Sequence, residues 1–372
     1  MTSTPLSVAV LGAAGTIAPA IVHDLAVSDE VACMLLLDLD ADKASTVANE
    51  HGRGKATAAP ADARDVESLA RTLDDAKADV LLNTASYRIN LDAMHASLKA
   101  GCHYLDLGGL YHVTQEQLQL SAEFERAGRL AVLGIGSSPG KTNLMAAAAV
   151  DRLGAQAEGI DSVDVFAAGR DPAAPPDGRL RPPYAIQTLL DELTLRPVVL
   201  EEREPVEIEP LAPGGTVDYG DPIGAAETIY TLHSELATFG QSFGCQSASF
   251  RLSLAPALLE RLEQLATATP EEVQAAAREA ASPSNETVSI HLVVTRAVDG
   301  EIVIARAITR PHFGLGGSVV STAAPAAACV RLFARGVLTA TGAQPPERCI
   351  DPAAMFAELE TRGCAFSFSG TS

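Results

Sequence analysis

Val8-Ala9-Val10-Leu11-Gly12-Ala13-Ala14-Gly15-Thr16-Ile17-Ala18 decides the fold, because an apolar run typical of a strand ends there in a glycine turn before a helix-compatible segment. The next apolar run, Ala32–Leu37, ends in Asp38. Strand, glycine turn, helix, strand and acid is the pattern of a dinucleotide-binding βαβ unit. Gly12 permits the tight turn, Gly15 lets the backbone approach a pyrophosphate, and the helix N-terminus offers free N–H groups to phosphates.

The turn departs from the usual fingerprint. It reads G-x-x-G-x-x-A, so Ala14 and Ile17 stand where the second and third glycines are expected, and a tight turn without a ligand is the alternative. Asp38 can accept both ribose hydroxyls of NAD and would repel the 2′-phosphate of NADP, so we expect NAD. The predicted cofactor contacts are Gly12, Ala14, Gly15, Thr16, Ile17, Asp38, Asp62, Asn83, Thr84, Ala85 and Tyr87.

Composition narrows the class of protein. The chain has 372 residues, which suffice for two domains, and a net charge of −20. This acidic balance argues against nucleic acid and anionic membranes as partners. The six cysteines form no C-x-x-C pair, no continuous apolar run reaches the ~18 residues of a membrane span, and Met1–Pro5 leads directly into the first strand. We therefore expect a cytoplasmic protein with reduced thiols and no metal site.

The first 140 residues alternate strand and helix. Most of the strand-like runs are continuously apolar, as expected of strands covered on both faces. The pattern predicts an α/β fold with a doubly wound parallel (Rossmann) sheet. The six predicted strands are Val8–Leu11, Ala32–Leu37, Ala56–Pro60, Val80–Ala85, His103–Asp106 and Leu130–Gly134.

After Gly154 the pattern changes to that of an α+β domain for substrate binding and dimerisation. A proline-rich loop, Asp171–Pro183, precedes two helices that begin with proline, the second with Thr269 as candidate N-cap. Asp299-Gly300 divides a predicted hairpin over Thr287–Thr309, whose edges need cover, so we expect a homodimer. The predicted domains are residues 1–140 and 141–319, with residues 320–372 packing back on the first through a buried helix.

In a doubly wound sheet, ligands bind beyond the carboxyl ends of the strands. Asn83 should therefore lie near the nicotinamide ribose, or else it ties its loop together. Asp62 should lie near the adenine edge, or else it caps the following helix. Asp106 ends the fifth strand. The segment Gly134–Asn143 fails the phosphate-loop pattern by one residue and is interpreted as a glycine-rich turn that opens a helix.

Thr231–Glu235 combines a proton carrier, hydroxyls and a carboxylate in a short span. Histidine is the side chain best suited to move a proton near neutral pH, so His233 is a candidate catalytic residue. The alternative is a surface-loop histidine paired with Glu235. Arg181 and Tyr184 are candidates for binding a substrate carboxylate, although a solvated loop explains them equally well.

Several blocks, taken in order, resemble the saccharopine dehydrogenase family. Beyond the glycine turn, the blocks are Asn83–Tyr87, His103–Gly109, Ser138–Leu144 and Tyr230–Glu235. The resemblance implies hydride transfer at a carbon–nitrogen bond with a nicotinamide cofactor. Among the branches it looks most like lysine 6-dehydrogenase or saccharopine reductase, with a carboxynorspermidine synthase-like imine reductase as the alternative.

The resemblance implies a small amino acid or amine as the substrate. Asp106 or His233 would accept the proton of the amine, although Asp106 could instead anchor the substrate ammonium. A non-catalytic NAD-binding sensor is the alternative from a different class. The predicted substrate-binding residues are Gly108, Pro139, Gly140, Thr142, Asn143, Arg181, Tyr184 and Ser234.

Overall fold

The computed structural model describes residues 5–154, 159–173 and 180–371. The chain divides into two compact units. One comprises Met1–Lys141 and Thr322–Met355, and the other comprises Thr142–Ser321 and Phe356–Ser372. The last boundary differs from the expectation that all of residues 320–372 join the first domain. The predicted loop Asp171–Pro183 lies partly outside the described residues.

The N-terminal part of the chain alternates strands and helices. Its strands are β1 (Leu6–Leu11), β2 (Val31–Asp38), β3 (Ala56–Pro60), β4 (Val80–Asn83), β5 (His103–Asp106) and β6 (Leu130–Val132). Its helices are α1 (Ala18–Ala26), α2 (Ala41–His51), α3 (Val66–Asp75), α4 (Asn90–Ala100), α5 (Leu110–Gln119) and α6 (Ser121–Arg126). Helix α5 was not predicted, and it begins after Gly109 without a side-chain cap.

The rest of the chain contains longer strands and more scattered helices. The strands are β7 (Ile160–Arg170), β8 (Val198–Glu201), β9 (Glu204–Glu207), β10 (Pro213–Asp218), β11 (Ala225–Tyr230), β12 (Ser247–Ser253), β13 (Val288–Ala297), β14 (Ile302–Thr309), β15 (Gly342–Gln344) and β16 (Cys364–Thr371). The helices are α7 (Lys141–Leu153), α8 (Ile186–Thr194), α9 (Phe239–Phe243), α10 (Pro256–Ala266), α11 (Pro270–Glu279), α12 (Gly317–Ala334), α13 (Pro346–Cys349) and α14 (Pro352–Glu360).

The first sheet confirms the predicted doubly wound parallel fold. Seven strands pair in the order β15-β6-β5-β4-β1-β2-β3, and every pair is parallel. The order reverses at β1 and β4, which is where such sheets bind ligands. The apolar runs are buried as expected, with Val8, Val10, Leu36 and Leu82 fully inaccessible to solvent. Strand β15 was missed because three residues carry too little periodicity.

The second sheet is mixed. Its main path runs β10-β11-β12-β7-β13-β14-β16, and β8 and β9 attach beside β12. The predicted hairpin is confirmed as β13 and β14, paired from Ser289↔Thr309 to Arg296↔Ile302. The expectation that this hairpin has uncovered edges is wrong, because β7 pairs along β13 and β16 pairs along β14.

Two local predictions concern helices: Thr269 as the N-cap of α11, and the burial of α12. Thr269 does cap α11, and its side chain and that of Glu272 form a reciprocal capping box. In α12, Arg331 is 2% exposed and is paired with Asp24 at 3.1 Å. Among the described residues, α12 is the one helix long and apolar enough to cross a membrane, and 83% of it is buried inside the fold.

Candidate functional site

The glycine turn after β1 is held by backbone hydrogen bonds. The Gly12 N–H donates to the Leu37 carbonyl at 2.8 Å, and the Gly15 N–H donates to the Gly12 carbonyl at 3.0 Å. Gly12 has a φ of +81°, and a Cβ there would lie 2.5 Å from the Ala85 nitrogen. Only glycine therefore satisfies both the backbone conformation and the close approach of the segment after β4.

The exposed part of the turn consists of backbone groups. Gly15 and Thr16 are exposed, whereas the Ile17 side chain is 8% exposed and belongs to the core. Helix α1 follows, with no side-chain cap and with proline in its first turn. The N–H groups of Thr16 and Ile17 meet no protein acceptor among the described residues. The turn therefore presents the donors that a phosphate requires, and Ile17 contributes only its backbone.

Asp38 connects the end of β2 to the glycine turn. One carboxylate oxygen accepts the Ala14 N–H at 2.9 Å, and the other accepts the Asp40 N–H at 2.9 Å. Each oxygen can accept a further hydrogen bond, and the side chain is only partly buried. The next cation along the chain, Lys43, pairs with Asp40 at 3.1 Å. The turn and this carboxylate together fit the pyrophosphate and a ribose of a dinucleotide.

The residues after β4 close over the turn. The Thr84 hydroxyl donates to the Leu11 carbonyl at 2.8 Å. Asn83 is 1% exposed, and its amide donates to Asn90 at 2.8 Å and to the Tyr104 hydroxyl at 3.3 Å. Both amide hydrogens are therefore used inside the protein. Contact of Asn83 with the cofactor stays a prediction, and these hydrogen bonds agree with the alternative that Asn83 ties its loop together.

Other predicted cofactor contacts lie at this end of the sheet. Ala85 is exposed and Tyr87 is half-buried, with the Arg88 guanidinium 4.8 Å from the centre of its ring. Asp62 binds Arg64 through its backbone N–H and its guanidinium, each at 3.0 Å. The alternative that Asp62 caps the following helix is wrong, because Asp65 is the N-cap of α3. Contacts of Ala85, Tyr87 and Asp62 with a cofactor stay predictions.

Asp106 is the centre of a buried hydrogen-bond network. One oxygen accepts the backbone N–H groups of Gly134 at 2.7 Å and Gly108 at 2.9 Å. The other accepts the side-chain amides of Gln117 at 2.6 Å and Asn90 at 3.2 Å. The side chain is 1% exposed, and burial raises the pKa of Asp106 while these donors oppose the rise. Both oxygens are occupied by fixed donors.

The role of Asp106 as catalytic base or as anchor for the substrate ammonium stays a prediction, and the observed geometry gives it a second role. A base must reach a substrate proton, whereas this carboxylate joins the segments that follow β5 and β6 to helices α4 and α5. Gly108 lies in that network with a φ of +129°. Asp106 therefore has a structural role at the carboxyl ends of the strands.

The glycine-rich segment after β6 is a closed loop. The Gly136 N–H donates to the Pro139 carbonyl at 2.9 Å, and the Lys141 N–H donates to the Gly136 carbonyl at 3.0 Å. Gly140 has a φ of +119°, and a Cβ there would lie 2.5 Å from the Gly136 nitrogen. The loop leads into α7 as predicted, and Thr142 and Asn143 are buried at the start of that helix.

The second unit contains a buried polar cluster, which we name the His233 cluster: Thr142, Tyr184, Glu192, His233, Ser234 and Glu235. His233 Nδ1 is hydrogen-bonded to one Glu235 carboxylate oxygen, and the other oxygen accepts the Thr142 hydroxyl at 2.8 Å. His233 is 6% exposed, so the alternative of a surface-loop histidine is wrong, although its pairing with Glu235 is confirmed.

Aromatic packing fixes the imidazole, and hydroxyl groups beside it lack partners. The ring of Phe250 on β12 stacks on His233 with 3.6 Å between ring centres and 14° between planes. Ser234 and Thr231 are 5% and 1% exposed, and their hydroxyl oxygens have no hydrogen-bond partner in the described part of the chain. A buried hydroxyl without a partner is costly, so these two groups fit a ligand with polar atoms.

Glu192 was missed at the level of sequence. It lies on α8 among Leu189, Leu190 and Leu193, and the Tyr184 hydroxyl donates to its carboxylate. Burial raises the pKa of Glu192 to about 7, although the His233 charge and the Tyr184 hydroxyl both lower it. An acidic residue on the apolar face of an amphipathic helix was the signal that could have identified it.

The charges in the cluster also act on His233. Burial by itself lowers the pKa of His233, but the negative charges of Glu235 and Glu192 outweigh burial and raise it above the ordinary value. The neighbouring carboxyl groups therefore favour the protonated form of the imidazole. An imidazolium hydrogen-bonded to a glutamate is suited to deliver a proton or to bind a negatively charged group.

Arg181 lies outside the His233 cluster. Its guanidinium is 3.7 Å from the Asp171 carboxylate, which also accepts the Ser284 N–H at 2.9 Å. Arg181 Nε is buried and has no hydrogen-bond partner among the described residues, so binding of a substrate carboxylate by Arg181 stays a prediction. Among the described residues, no group of three histidine, cysteine or acidic side chains is placed to hold a metal ion.

Comparison with known proteins agrees with this geometry. Residues 8–132 match the family model "Saccharopine dehydrogenase NADP binding domain". A carboxyaminopropylagmatine dehydrogenase of Synechocystis sp. is 26% identical over 68% of this chain and 63% of its own length. A carboxynorspermidine synthase of Vibrio alginolyticus is 30% identical over 30% of each chain. The alignments therefore span less than two thirds of the length of these relatives.

A solved structure supports the fold over the whole chain. Apo saccharopine dehydrogenase (L-Glu forming) from Saccharomyces cerevisiae matches with a TM-score of 0.70, over 99% of this chain and 100% of that one, at 14% identity. At this identity the likeness concerns the fold alone. The family match covers the glycine turn, Asp38 and the first six strands, which are the parts that fit a pyridine nucleotide. Residues 8–132 thus match the nucleotide-binding domain of the saccharopine dehydrogenase family, and the chain shares the fold of one saccharopine dehydrogenase.

Proposed function

We propose that this protein is a NAD(P)-dependent oxidoreductase that acts on the carbon–nitrogen bond of a small amine or amino acid. The observation that carries the proposal is the buried His233–Glu235 pair in a chain whose nucleotide-binding domain is of the saccharopine dehydrogenase family. The pair offers a proton carrier, and the unpartnered hydroxyls of Ser234 and Thr231 offer polar contacts to a substrate.

The similar proteins favour one branch of this chemistry. Both relatives carry names of carboxylated polyamine-type compounds, one as a dehydrogenase and one as a synthase. This favours a carboxynorspermidine synthase-like imine reductase over lysine 6-dehydrogenase, which the sequence alone preferred. The substrate class we propose is therefore a secondary amine bearing a carboxylated alkyl group, or the imine from which it forms.

The protein's own part in such a reaction is to bind, orient and move one proton. A bound nicotinamide would exchange a hydride with the carbon attached to nitrogen, and the nitrogen gains or loses a proton so that the reaction balances. His233 is the proposed carrier of that proton, and Glu235 holds its imidazole in place. The N–H groups of Thr16 and Ile17, at the start of α1, would hold the pyrophosphate.

NAD is the cofactor we propose, with NADP less favoured. The description of the matched family names NADP, so the preference rests on Asp38. Its carboxylate is fixed beside the turn by the N–H groups of Ala14 and Asp40, where it would accept ribose hydroxyls and repel a 2′-phosphate. Initial rates with each nucleotide at subsaturating concentration test this preference. Equal or better efficiency with NADP would overturn it.

The test of the function is a substrate panel at the absorbance band of the reduced nicotinamide. Each candidate amine is tested for oxidation in separate assays with NAD and with NADP. The candidates are carboxyaminopropylagmatine, carboxynorspermidine, saccharopine and lysine. We expect turnover with at least one secondary amine. Tight nucleotide binding without turnover of any of these compounds would instead favour the non-catalytic sensor.

Two further proposals concern the state of the protein in the cell. A homodimer stays a prediction, but the hairpin of β13 and β14 no longer supplies its edge, since β10 and β16 end the main path of the second sheet. Light scattering at micromolar concentration tests it, and a monomer mass would contradict it. A cytoplasmic location stays a prediction from composition, tested by fractionation.

A further inference from the structure

Two side-chain hydrogen bonds in series fix the imidazole of His233. One Glu235 carboxylate oxygen is hydrogen-bonded to His233 Nδ1, and the other accepts the Thr142 hydroxyl at 2.8 Å. Thr142 lies in the first turn of α7, whereas Glu235 lies in the short 3₁₀ helix Ser234–Ala237. Thr142 and Glu235 are fully inaccessible to solvent. A buried hydroxyl from one segment thus holds the carboxylate that holds the candidate proton carrier.

The Glu235 carboxyl group lies among hydrogen-bond donors. An ionised carboxylate only accepts hydrogen bonds, and here the Thr142 hydroxyl meets one oxygen and the imidazole meets the other. The first turn of α7 also carries the partial positive charge of a helix N-terminus, which stabilises a carboxylate beside it. A carboxylate can be buried when it is paired and hydrogen-bonded in this way. The arrangement therefore places the shared hydrogen on His233 Nδ1, which donates to Glu235.

The second ring nitrogen, Nε2, is left for a ligand. None of the described residues forms a hydrogen bond with it. Phe250 stacks on the imidazole with 3.6 Å between ring centres and 14° between planes, so the plane of the ring is fixed as well. With Nδ1 bonded to Glu235, Nε2 can point in only one direction. This holds for the neutral ring and for the imidazolium alike, because Nδ1 carries a hydrogen in both forms.

We propose that Thr142 is a positioning residue, which acts through Glu235 to hold His233 with Nε2 as the atom that exchanges a proton with the substrate nitrogen. The catalytic meaning of this assignment rests on the proposed function. In imine reduction, the carbon gains a hydride from a bound reduced nicotinamide, and the nitrogen gains the proton that Nε2 loses. Amine oxidation reverses both transfers, and Nε2 then accepts the proton.

The Thr142 hydroxyl can be removed without changing a charge. Thr142→Val keeps the shape of the side chain but takes this donor from Glu235, so the carboxylate and the imidazole lose part of their restraint. We expect kcat to fall about tenfold or more while KM stays within about twofold, because the change acts on proton transfer. Thr142→Ser restores the hydroxyl and should recover most of the activity. A raised KM with kcat retained would instead show that Thr142 contacts the substrate directly, and the positioning role would be wrong.

Thr228→Val is the matched control. Thr228 on β11 belongs to the same compact unit and is 2% exposed, and its hydroxyl donates to the Gly215 carbonyl at 2.8 Å. The substitution there removes a buried hydrogen bond of the same length from outside the His233 cluster, so we expect kcat to be unchanged. Equal losses of kcat in Thr142→Val and Thr228→Val would contradict the proposal, because they would indicate a general effect of removing a buried hydroxyl.

An NMR measurement tests the geometry without turnover. Two-bond ¹H–¹⁵N correlations, recorded on the full-length protein labelled with ¹⁵N-histidine and free of nucleotide and substrate, show which ring nitrogen carries hydrogen. The chain has eight histidines, and the signals missing in His233→Gln identify His233. Above the titration midpoint of His233, we expect the neutral ring to carry its hydrogen at Nδ1. A hydrogen at Nε2 would overturn the proposal, even if Thr142→Val does not fold.

The Nδ1 hydrogen also reports on Thr142. We expect it to exchange with water at least about tenfold faster in Thr142→Val than in the wild type, and to return toward the wild-type rate in Thr142→Ser. An unchanged exchange rate in folded Thr142→Val would refute the positioning role. Failure of the amine panel leaves these NMR results intact, and failure of the NMR predictions leaves the proposed reaction intact, so the two failures are distinguishable.

Discussion

Asp106→Asn distinguishes a structural carboxylate from a catalytic one. The Asp106 carboxylate accepts four N–H groups, two on each oxygen, and is 1% exposed. Asparagine replaces one oxygen with an NH₂ group, so two of the four donors then face a donor. The backbone N–H groups of Gly108 and Gly134 cannot turn away, so we expect the amide to point toward Gln117 and Asn90.

The magnitude follows from the donors left without a partner. Each buried donor that loses its acceptor costs about 1–3 kcal/mol, so two cost about 2–6 kcal/mol. Removing a buried charge offsets part of this loss, and we take about 2–4 kcal/mol as the expected decrease in the free energy of unfolding. The matched control is Asp62→Asn, since Asp62 follows β3 and binds Arg64 at the surface, where we expect a much smaller decrease.

The assay is urea unfolding followed by far-UV circular dichroism, because the chain has no tryptophan. Hydrogen exchange locates the effect, with faster exchange expected at residues 83–90 and 134–143 in Asp106→Asn only. Suppose instead that the variant unfolds like the control but loses about 10²-fold or more in kcat/KM. Asp106 would then be a catalytic group, and the structural role assigned to it would be wrong.

Four more predictions concern the glycine turn, Asp38 and the His233 cluster. Gly15→Val should leave the far-UV spectrum unchanged, because a Cβ at Gly15 meets only the Gly12 carbonyl, at 3.2 Å. It should weaken nucleotide binding at least about tenfold by calorimetry, because the valine side chain blocks the approach of the phosphates. Unchanged affinity would refute the placement of the pyrophosphate. Asp38→Ala should lower the ratio of kcat/KM with NAD to kcat/KM with NADP. An unaltered ratio would contradict the assigned role of Asp38. His233→Gln should lose about 10²-fold or more in kcat/KM with nucleotide affinity retained, and activity within a few-fold of wild type would place proton transfer elsewhere. Folding raises the pKa of Glu192 from 4.5 to about 7, so its stabilising contribution is complete below pH 4.5 and is lost as the pH rises through about 7. Glu192→Gln should therefore gain stability relative to wild type as the pH rises over that interval. The measurement is the urea midpoint of each protein at pH 4.5 and at pH 8. If the midpoints of variant and wild type differ by the same amount at both pH values, the assignment is wrong.

Local sequence pattern was sufficient for six of the seven strands of the first sheet. The run from β1 through the glycine turn to Asp38 is contiguous, so alternation of strand and helix and one acidic residue defined it. Strand β15 and helix α5 were missed because a three-residue strand and a helix without a side-chain cap leave little local signal. Burial in the completed fold, not local propensity, determines such elements.

The chemistry of the site depended on contacts between distant residues. Asn83 and Asp106 were identified at strand ends, but their roles follow from Asn90, Tyr104 and Gln117, which folding brings to them. A position at the end of a strand does not by itself distinguish a residue that contacts a ligand from a buried residue that joins segments of the protein. Likewise, the pairing of His233 with Glu235 was visible in the sequence, whereas the backbone contact of Glu192 with Leu232 arises only when α8 packs there.

The division of the chain has a consequence for its synthesis. Thr322–Met355 contributes β15 to the first sheet, and Phe356–Ser372 contributes β16 to the second. Because synthesis proceeds from the N-terminus, both sheets are completed only by strands from the same segment, which emerges late from the ribosome. Each sheet stays incomplete until then, with β6 and β14 unpaired along one side. A nascent chain stalled before Thr322 would thus offer two open strands to chaperones or to neighbouring chains at once.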